Sequence, residues 1–346
     1  MRALITGITG MAGSHLAEYI LNNHPDVTVF GTVRWRSKMD NLEDLLRDRR
    51  VNQLAQGISS VAGLQRVIDD QTDAKKANLV EASLTDATAV RLLIAAVRPD
   101  RIFHLAAQSF VPTSWTAPAE TLTNNIVSQV NIFEAIREVG IDPMIHIAGS
   151  SEEYGLVFPN EVPIKETNPL RPLSPYAVSK VTQEMLAWQY NRSYGLKTVV
   201  TRGFNHTGPR RGHVFVTSSC AKQVAEIEAG LQEPTLCIGD MEVRRDWTDV
   251  RDTVRGYWMS LEKGVPGEVY NVGSGHAYTI REMLDVLLSL SRVPIQIKKE
   301  ECRMRPSDVR ILLADCTKFQ TQTGWQPEIP FRTTMRDLLD YWRRRV

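Results

Sequence analysis

Residues 3–16, ALITGITGMAGSHL, read as a short apolar strand that breaks into a glycine-spaced turn and continues as a helix. Gly7, Gly10 and Gly13 follow the strand directly, with Met11 inside the turn. Glycine at these places permits a tight turn and lets a pyrophosphate approach the backbone amides at the helix N-terminus. Strand, turn and helix together are a dinucleotide-binding signal whose weight depends on what surrounds them.

What surrounds them is alternation. Strand patterns occur at 3–7, 27–33, 78–82, 101–107, 144–149, 198–203 and 268–273. Between them lie the helical patterns MAGSHLAEYILNN, DATAVRLLIAAV, AETLTNNIVSQVNIFEAIREV and YAVSKVTQEMLAWQYNRSY. Such alternation predicts an α/β fold, a Rossmann-type doubly wound parallel sheet with helices on both faces. After Phe204 the rhythm changes to a Pro- and Gly-rich passage, a helix at VTSSCAKQVAEIEAG and a mostly helical end. A smaller, interleaved, mostly helical substrate domain is therefore expected. Residues 1–204 and 243–273 would form the cofactor domain, and 205–242 and 274–346 the second. The polar passage 51–77 reads as partly helical and suggests no function.

Composition narrows the class. In 346 residues, 42% hydrophobic and 23% charged content with a formal net charge of +1 describe a globular chain. Nothing in that balance favours nucleic acid or an acidic membrane surface. Apolar runs such as LLIAAV fall far short of the about 20 residues that span a bilayer. The start moves directly into a strand without an apolar leader, and Cys220, Cys237, Cys302 and Cys316 form no C-x-x-C pair. No metal site is expected, and a reducing cytoplasm is.

The second strand bears on the cofactor. A site for NAD usually ends it with Asp or Glu, which accepts from the adenosine ribose. Here GTVRWRSKMDN places Arg34, Arg36 and Ser37 there, with no acid before Asp40. Guanidinium groups suit the dianionic 2′-phosphate of NADP; a solvated basic loop is the other reading.

Two further stretches carry chemistry. SPYAVSK puts Tyr176 and Lys180 on one helix face, where an ammonium favours the phenolate and makes the pair a proton acceptor. GSSEEYG, at the end of the strand about 144–149, offers Ser150 to share a substrate oxygen with Tyr176. Glu152 is a surplus carboxylate there, needed if a proton is to be taken from carbon; otherwise it is a solvated turn residue. Glu153 reads as turned to solvent.

The spacing G-x-x-G-x-x-G points to the short-chain dehydrogenase/reductase superfamily. Over nearly its whole length the chain resembles the extended members that act on nucleotide sugars, the GDP-mannose 4,6-dehydratase and GDP-4-keto-6-deoxymannose reductase group. The dehydratase side of the resemblance rests on GITGMAGSHLAE, VRWRS, HLAAQSFVPTSW, FNHTGPRRGHVFVT, RRDWTDVRD and RPSDVRILLAD. The reductase side rests on GSSEEYG, PLRPLSPYAVSK, FNHTGP and PGEVYNVGSG. The resemblance implies Ser150, Glu152, Tyr176 and Lys180 as catalytic. It implies Leu84, Ala106 and Ala107 as further cofactor contacts, and Ser109, Asn205, Lys222, Arg244 or Arg245, and Arg305 as substrate contacts. Asp308 would accept from the nucleotide ribose, with Arg210 and Arg211 in an approaching loop. Three positions depart from the pattern: Ser150 replaces Thr, Ser83 replaces Asp, and Met11-Ala12 replaces Gln-Asp.

The expected activity is that of an NADP-dependent nucleotide-sugar 4,6-dehydratase, a lyase converting GDP-mannose to GDP-4-keto-6-deoxymannose. A 4-reductase or epimerase on the resulting keto sugar stays open, because both sides of the resemblance carry the carboxylate. A non-catalytic NADP sensor is disfavoured by the intact Ser150, Tyr176 and Lys180. A homo-oligomer is expected, either a dimer through the two long helices or a tetramer through the RWRS loop.

Overall fold

The computed structural model describes residues 1–55, 57, 59–300 and 310–346. The first strand pattern forms β1 (Arg2–Thr6), followed by β2 (Thr28–Val33), β3 (Val51–Gln53), β4 (Ala77–Glu81), β5 (Arg101–His104), β6 (Met144–Ser150) and β7 (Lys197–Gly203). Among the described residues they lie in an eight-stranded sheet of order Val269–Val272, β7, β6, β5, β1, β2, β4, β3. The pairs from β3 through β6 are parallel. The chain proceeds from β1 outward to β2 and β4, then returns to β5 and runs the other way. That reversal beside β1 is where a doubly wound sheet opens a crevice at its strand ends.

The near-continuous apolar strands follow from burial on both faces. Leu4, Phe30, Ile102, Ile145 and Val200 pack with Leu93, Ile94, Val97, Ile132, Phe133 and Ile136 of the covering helices. Those helices begin and end where the sequence provides caps. Asp86 accepts from the Ala89 amide at 2.8 Å to open Ala87–Val97, and Gly140, at φ +68°, closes Ser128–Val139. The passage 51–77 holds the edge strand β3 and a helix, Val61–Gln71.

By contacts the chain forms two compact units. The first comprises Met1–Glu153, Pro172–Arg202 and Val254–Tyr270; the second comprises Tyr154–Arg171, Gly203–Thr253 and Asn271–Val346. Strand Arg244–Asp249, expected in the cofactor domain, organises the second unit instead. It pairs with Asn205–Thr207, Ala277–Thr279 and Ile311–Leu312. Its buried Asp246 carboxylate accepts from the amides of Ser274, Gly275 and Ala314 at 2.7, 3.0 and 3.2 Å. Helices Val216–Glu228, Ile280–Ser289 and Phe331–Arg343 surround this sheet, with Trp247, Met283, Leu284, Leu287, Phe331 and Leu338 in the core.

Among the described residues, no helix is long and apolar enough to cross a membrane and no group of three or more His, Cys, Asp or Glu is placed to hold a metal.

Candidate active site

The glycine turn is built as tightly as its residues allow. Gly7 has φ +71°, and a Cβ there would stand 2.9 Å from Ala106 Cα at the end of β5. The Thr6 hydroxyl oxygen holds the approach by accepting from the amides of Leu105 and Ala106 at 3.1 and 3.2 Å. A Cβ on Gly13 would lie 2.3 Å from the Gly7 carbonyl oxygen, so the helix is seated directly on the turn. Helix Met11–Asn23 has Gly10 at its N-cap and no side-chain cap, which suits an anion at its N-terminus.

At the end of β2 the chain turns at once: the Ser37 hydroxyl accepts from the Arg34 amide at 2.9 Å. Arg34 and Arg36 are exposed, and the Arg36 guanidinium lies 4.4 Å from the Trp35 ring centre. The Leu84 carbonyl accepts from Asn131 at 2.9 Å, while Ser83, in place of the expected acid, faces Thr85 at 3.1 Å. Ala106 and Ala107 are half-buried and Ser109 is exposed.

Tyr176 and Lys180 stand at the start of the long helix Pro175–Tyr194. Ser174 caps it by accepting from the Ala177 amide at 3.1 Å, and Pro175 occupies the first position with its φ preset. The helix packs on β6 and on the short turn Ser151–Glu153 that follows. Both side chains are buried; the ammonium lies 5.8 Å from the Tyr176 ring centre and donates to the Ala148 carbonyl at 2.8 Å. Burial pulls the Lys180 pKa down to about 8, against the opposing pull of Glu153. Ser150 is buried at the strand end, and its hydroxyl accepts from the Glu152 amide at 3.2 Å. Glu152 is half-buried.

Glu153 differs from the expectation. It is fully buried, with Oε1 accepting from the Ser150 amide at 2.6 Å and Oε2 3.8 Å from Arg202 Nε. A further residue was not legible either. Asn125, buried in the π-turn Thr123–Val127, exchanges hydrogen bonds with the backbone of Gln108 and donates to the Ser179 hydroxyl at 2.9 Å. It thereby ties the loop after β5 to the Tyr176 helix; with Thr121, Ser128 and Gln129 it forms a buried polar stripe, which the pattern TLTNNIVSQ alone does not distinguish from a solvated helix face.

The other expected contacts lie in the second unit. Asn205 opens its strand opposite Trp247, and its Oδ1 is buried without a hydrogen-bond partner among the described residues. Arg244 is exposed and Arg245 half-buried, their guanidinium groups donating to the carbonyls of Ala277 and Arg244 at 3.1 and 2.9 Å. Lys222 pairs with Glu226 and lines a cavity of about 370 Å³ with His213, Ser219, Gln223, Cys237 and Glu300. Arg210 is buried at φ +68°, and Arg211 lies 3.5 Å from the Phe215 ring centre. Arg305 and Asp308 lie outside the described residues.

The model of the family described as GDP-mannose 4,6 dehydratase matches residues 52–338. The chain belongs to the GDP-mannose 4,6-dehydratase family. Relatives with two different activities match it. It is 36% identical to a GDP-6-deoxy-D-mannose reductase of Pseudomonas aeruginosa, over 72% of this chain and 82% of that one. It is 31% identical to a GDP-mannose 4,6-dehydratase of Vibrio cholerae, over 97% and 92%. Among solved structures, RMD from Pseudomonas aeruginosa complexed with NADPH superposes with a TM-score of 0.80 at 29% identity, covering 100% of this chain and 99% of that one. The UDP-glucose 4-epimerase of Thermus thermophilus complexed with NAD gives 0.79 at 28%, covering 100% of each. Family and neighbours place the chain among the extended short-chain dehydrogenases/reductases, and its mostly parallel sheet agrees.

Proposed function

We propose that this family member is a nucleotide-sugar 4,6-dehydratase, acting on GDP-mannose with NADP bound. The observation that supports the reading is the match to the dehydratase family over residues 52–338. Glu152, placed by its amide against the Ser150 hydroxyl at the end of β6, on which the helix of Tyr176 and Lys180 packs, supplies the carboxylate that the elimination needs, although the reductases carry it too. Redox chemistry at C4 needs a hydroxyl, a phenol and an ammonium; taking a proton from C5 needs a carboxylate as well.

The residues present fit the cofactor. Gly7, Gly10, Met11 and Gly13 suit its pyrophosphate, and the exposed guanidinium groups of Arg34 and Arg36, with Ser37, suit a 2′-phosphate. Leu84, Ala106 and Ala107 complete the proposed contacts. When bound, NADP(H) supplies the hydride acceptor and donor. In this reading Ser150 holds the C4 oxygen and Tyr176 accepts the C4 hydroxyl proton. The Lys180 ammonium favours the phenolate and, by its bond to Ala148, stays fixed against β6. Once C4 is a ketone the C5 hydrogen is acidic; Glu152 would take it as a proton and pass a proton to the C6 hydroxyl, which leaves as water. Reduction at C6 with a proton returned to C5 then gives the 4-keto-6-deoxy sugar. Ser109, Asn205, Lys222, Arg244 or Arg245, and Arg305 are proposed to hold the sugar diphosphate, and Asp308 the ribose. The unpartnered Asn205 oxygen is consistent with a role for that residue.

We further infer a homo-oligomer in the cytoplasm, dimeric or tetrameric. Val178, Met185 and Trp188 are exposed on one face of the helix Pro175–Tyr194, which supports the first arrangement.

The second reading is a reductase of the keto sugar, favoured by the 36% identical relative of that name. Incubation with GDP-mannose and no added reductant separates the two. Formation of a 4-keto-6-deoxy sugar supports the dehydratase. Its absence, with NADPH oxidised when the keto sugar is supplied, establishes the reductase.

A further inference from the structure

Beneath the strand end that carries Ser150 and Glu152 lies a cluster of charge that the proposed chemistry does not use. Glu153, Glu184 and Arg202 are 0%, 5% and 3% exposed. Arg202 commits its guanidinium to Glu184, with Nε donating to Oε2 at 2.7 Å and Nη2 to Oε1 at 2.5 Å. Glu153 Oε1 takes the Ser150 amide at 2.6 Å, but Oε2 has no donor among the described residues, and Arg202 Nε stays 3.8 Å away. The fit is close: a Cβ on Gly149 would stand 2.7 Å from Glu153 Oε1 and 2.9 Å from the Thr201 carbonyl oxygen.

The connections run across the active site. Glu184 shares its helix with Tyr176 and Lys180, Arg202 lies in β7 beside β6 in the sheet, and Glu153 closes the turn after Ser150. We propose that Glu153 is a positioning residue: through the Ser150 amide on one side and the Arg202–Glu184 pair on the other, it locks the strand end bearing Ser150 and Glu152 to the helix bearing Tyr176 and Lys180. It does so as a neutral carboxylic acid. With both glutamates ionised, a buried carboxylate would face another with one oxygen undonated, which is costly away from water. A proton on Oε2 satisfies that oxygen by donating to Glu184 while Oε1 still accepts from Ser150. Burial first, then the Glu184 charge, holds the Glu153 carboxyl well above the ordinary carboxylate range, and Arg202 and the Ser150 amide pull the other way. Lys180, on the helix of Glu184, is the other charged group linked to this cluster; the upward pull that a Glu153 charge would exert on it is absent when Glu153 holds its proton.

The inference rests on the proposed catalytic set, and its test is arranged so that either can fail alone. An infrared difference spectrum of wild type minus Glu153→Gln at pH 7 should show the C=O stretch of a protonated carboxylic acid; this arm uses no substrate. Glu153→Gln, which mimics the neutral acid, should keep kcat within about threefold in whichever of the two sugar reactions wild type performs. Glu153→Leu, of similar size but with no acceptor for Ser150, should lower kcat about 10²-fold, as expected of misplacement by about 1 Å, with KM changed less than about threefold. Arg202→Lys, which keeps the charge but not the two-armed grip, should lower kcat in the same KM-independent way and serves if the Leu variant does not fold. Absence of the acid band overturns the proposal, as does unchanged kcat in a folded Glu153→Leu or in Arg202→Lys. Absence of turnover by wild type on either sugar would count against the catalytic set, with the spectrum still deciding the state of Glu153.

Discussion

The Lys180 ammonium stands 5.8 Å from the centre of the Tyr176 ring and is anchored to the Ala148 carbonyl at 2.8 Å. One helical turn separates the two residues in sequence, and the anchor to β6 restricts where the charge can go. Buried in this way, the ammonium gives up its proton near pH 8 rather than at its usual value of 10.5.

Two pH effects follow from that shift. In the free enzyme kcat/KM should fall above about pH 8, as Tyr176 loses the charge that favours its phenolate. Lys180→Arg, charged throughout this range, should show residual activity without that alkaline limb; a limb at the same position would remove Lys180 as its source. Stability moves the other way. Between about 8 and 10.5 the unfolded chain holds the Lys180 proton and the folded chain has released it. The unfolded state thus binds more protons, and the contribution of this group to stability rises with pH across the interval. Melting curves of wild type and Lys180→Met over that range should converge or cross accordingly.

If the turn after β2 governs cofactor choice as proposed, Arg34 and Arg36 are the residues to change. Replacing Arg34 and Arg36 together by Ala should weaken NADP(H) binding by on the order of 1.5–3 kcal/mol, roughly ten- to hundredfold, and leave NAD(H) binding nearly unchanged. Parallel titrations of the two cofactors check this, and equal losses would mean the loop does not contact a 2′-phosphate.

Glu152→Gln preserves size and hydrogen bonding while removing the proposed base. For a dehydratase, formation of the keto-deoxy product should drop about 10²–10⁴-fold, the range of a general base. Reduced-nicotinamide absorbance should still rise when GDP-mannose is mixed with the NADP-loaded variant, because in the proposed mechanism the first step uses Ser150, Tyr176 and Lys180 and not Glu152. Full product formation by the variant would exclude Glu152 as the base.

Gly13→Ala would put a methyl group 2.3 Å from the Gly7 carbonyl oxygen and 2.8 Å from Ile8 Cα, both backbone atoms. The helix must move off the turn, so a loss of more than about 2 kcal/mol in urea unfolding is expected, together with weakened binding of either cofactor. A variant with wild-type stability and cofactor affinity would show that the turn is looser than its geometry.

Local features of the sequence determined the α/β class, the glycine turn and the Tyr176–Lys180 spacing. Each is written in neighbouring residues: glycines where backbones must meet, i and i+4 on one helix face, apolar runs where both sheet faces are covered. Helix Met11–Asn23 matches its pattern residue for residue. Tertiary structure decided what local pattern leaves open. Glu152 and Glu153 are adjacent and chemically alike, yet one is half-buried and the other fully enclosed. That difference depends on Arg202 and Glu184, distant in sequence, whose ion pair makes a place for a third ionisable group. An arginine inside the apolar strand TVVTRG was the trace of it, since a buried guanidinium requires a buried carboxylate. Strand Arg244–Asp249 likewise found its partners through long-range hydrogen bonds, with Asp246 buried to receive them. Such pairings are set by which chain segments meet, a matter of topology and desolvation that spacing along the chain does not encode.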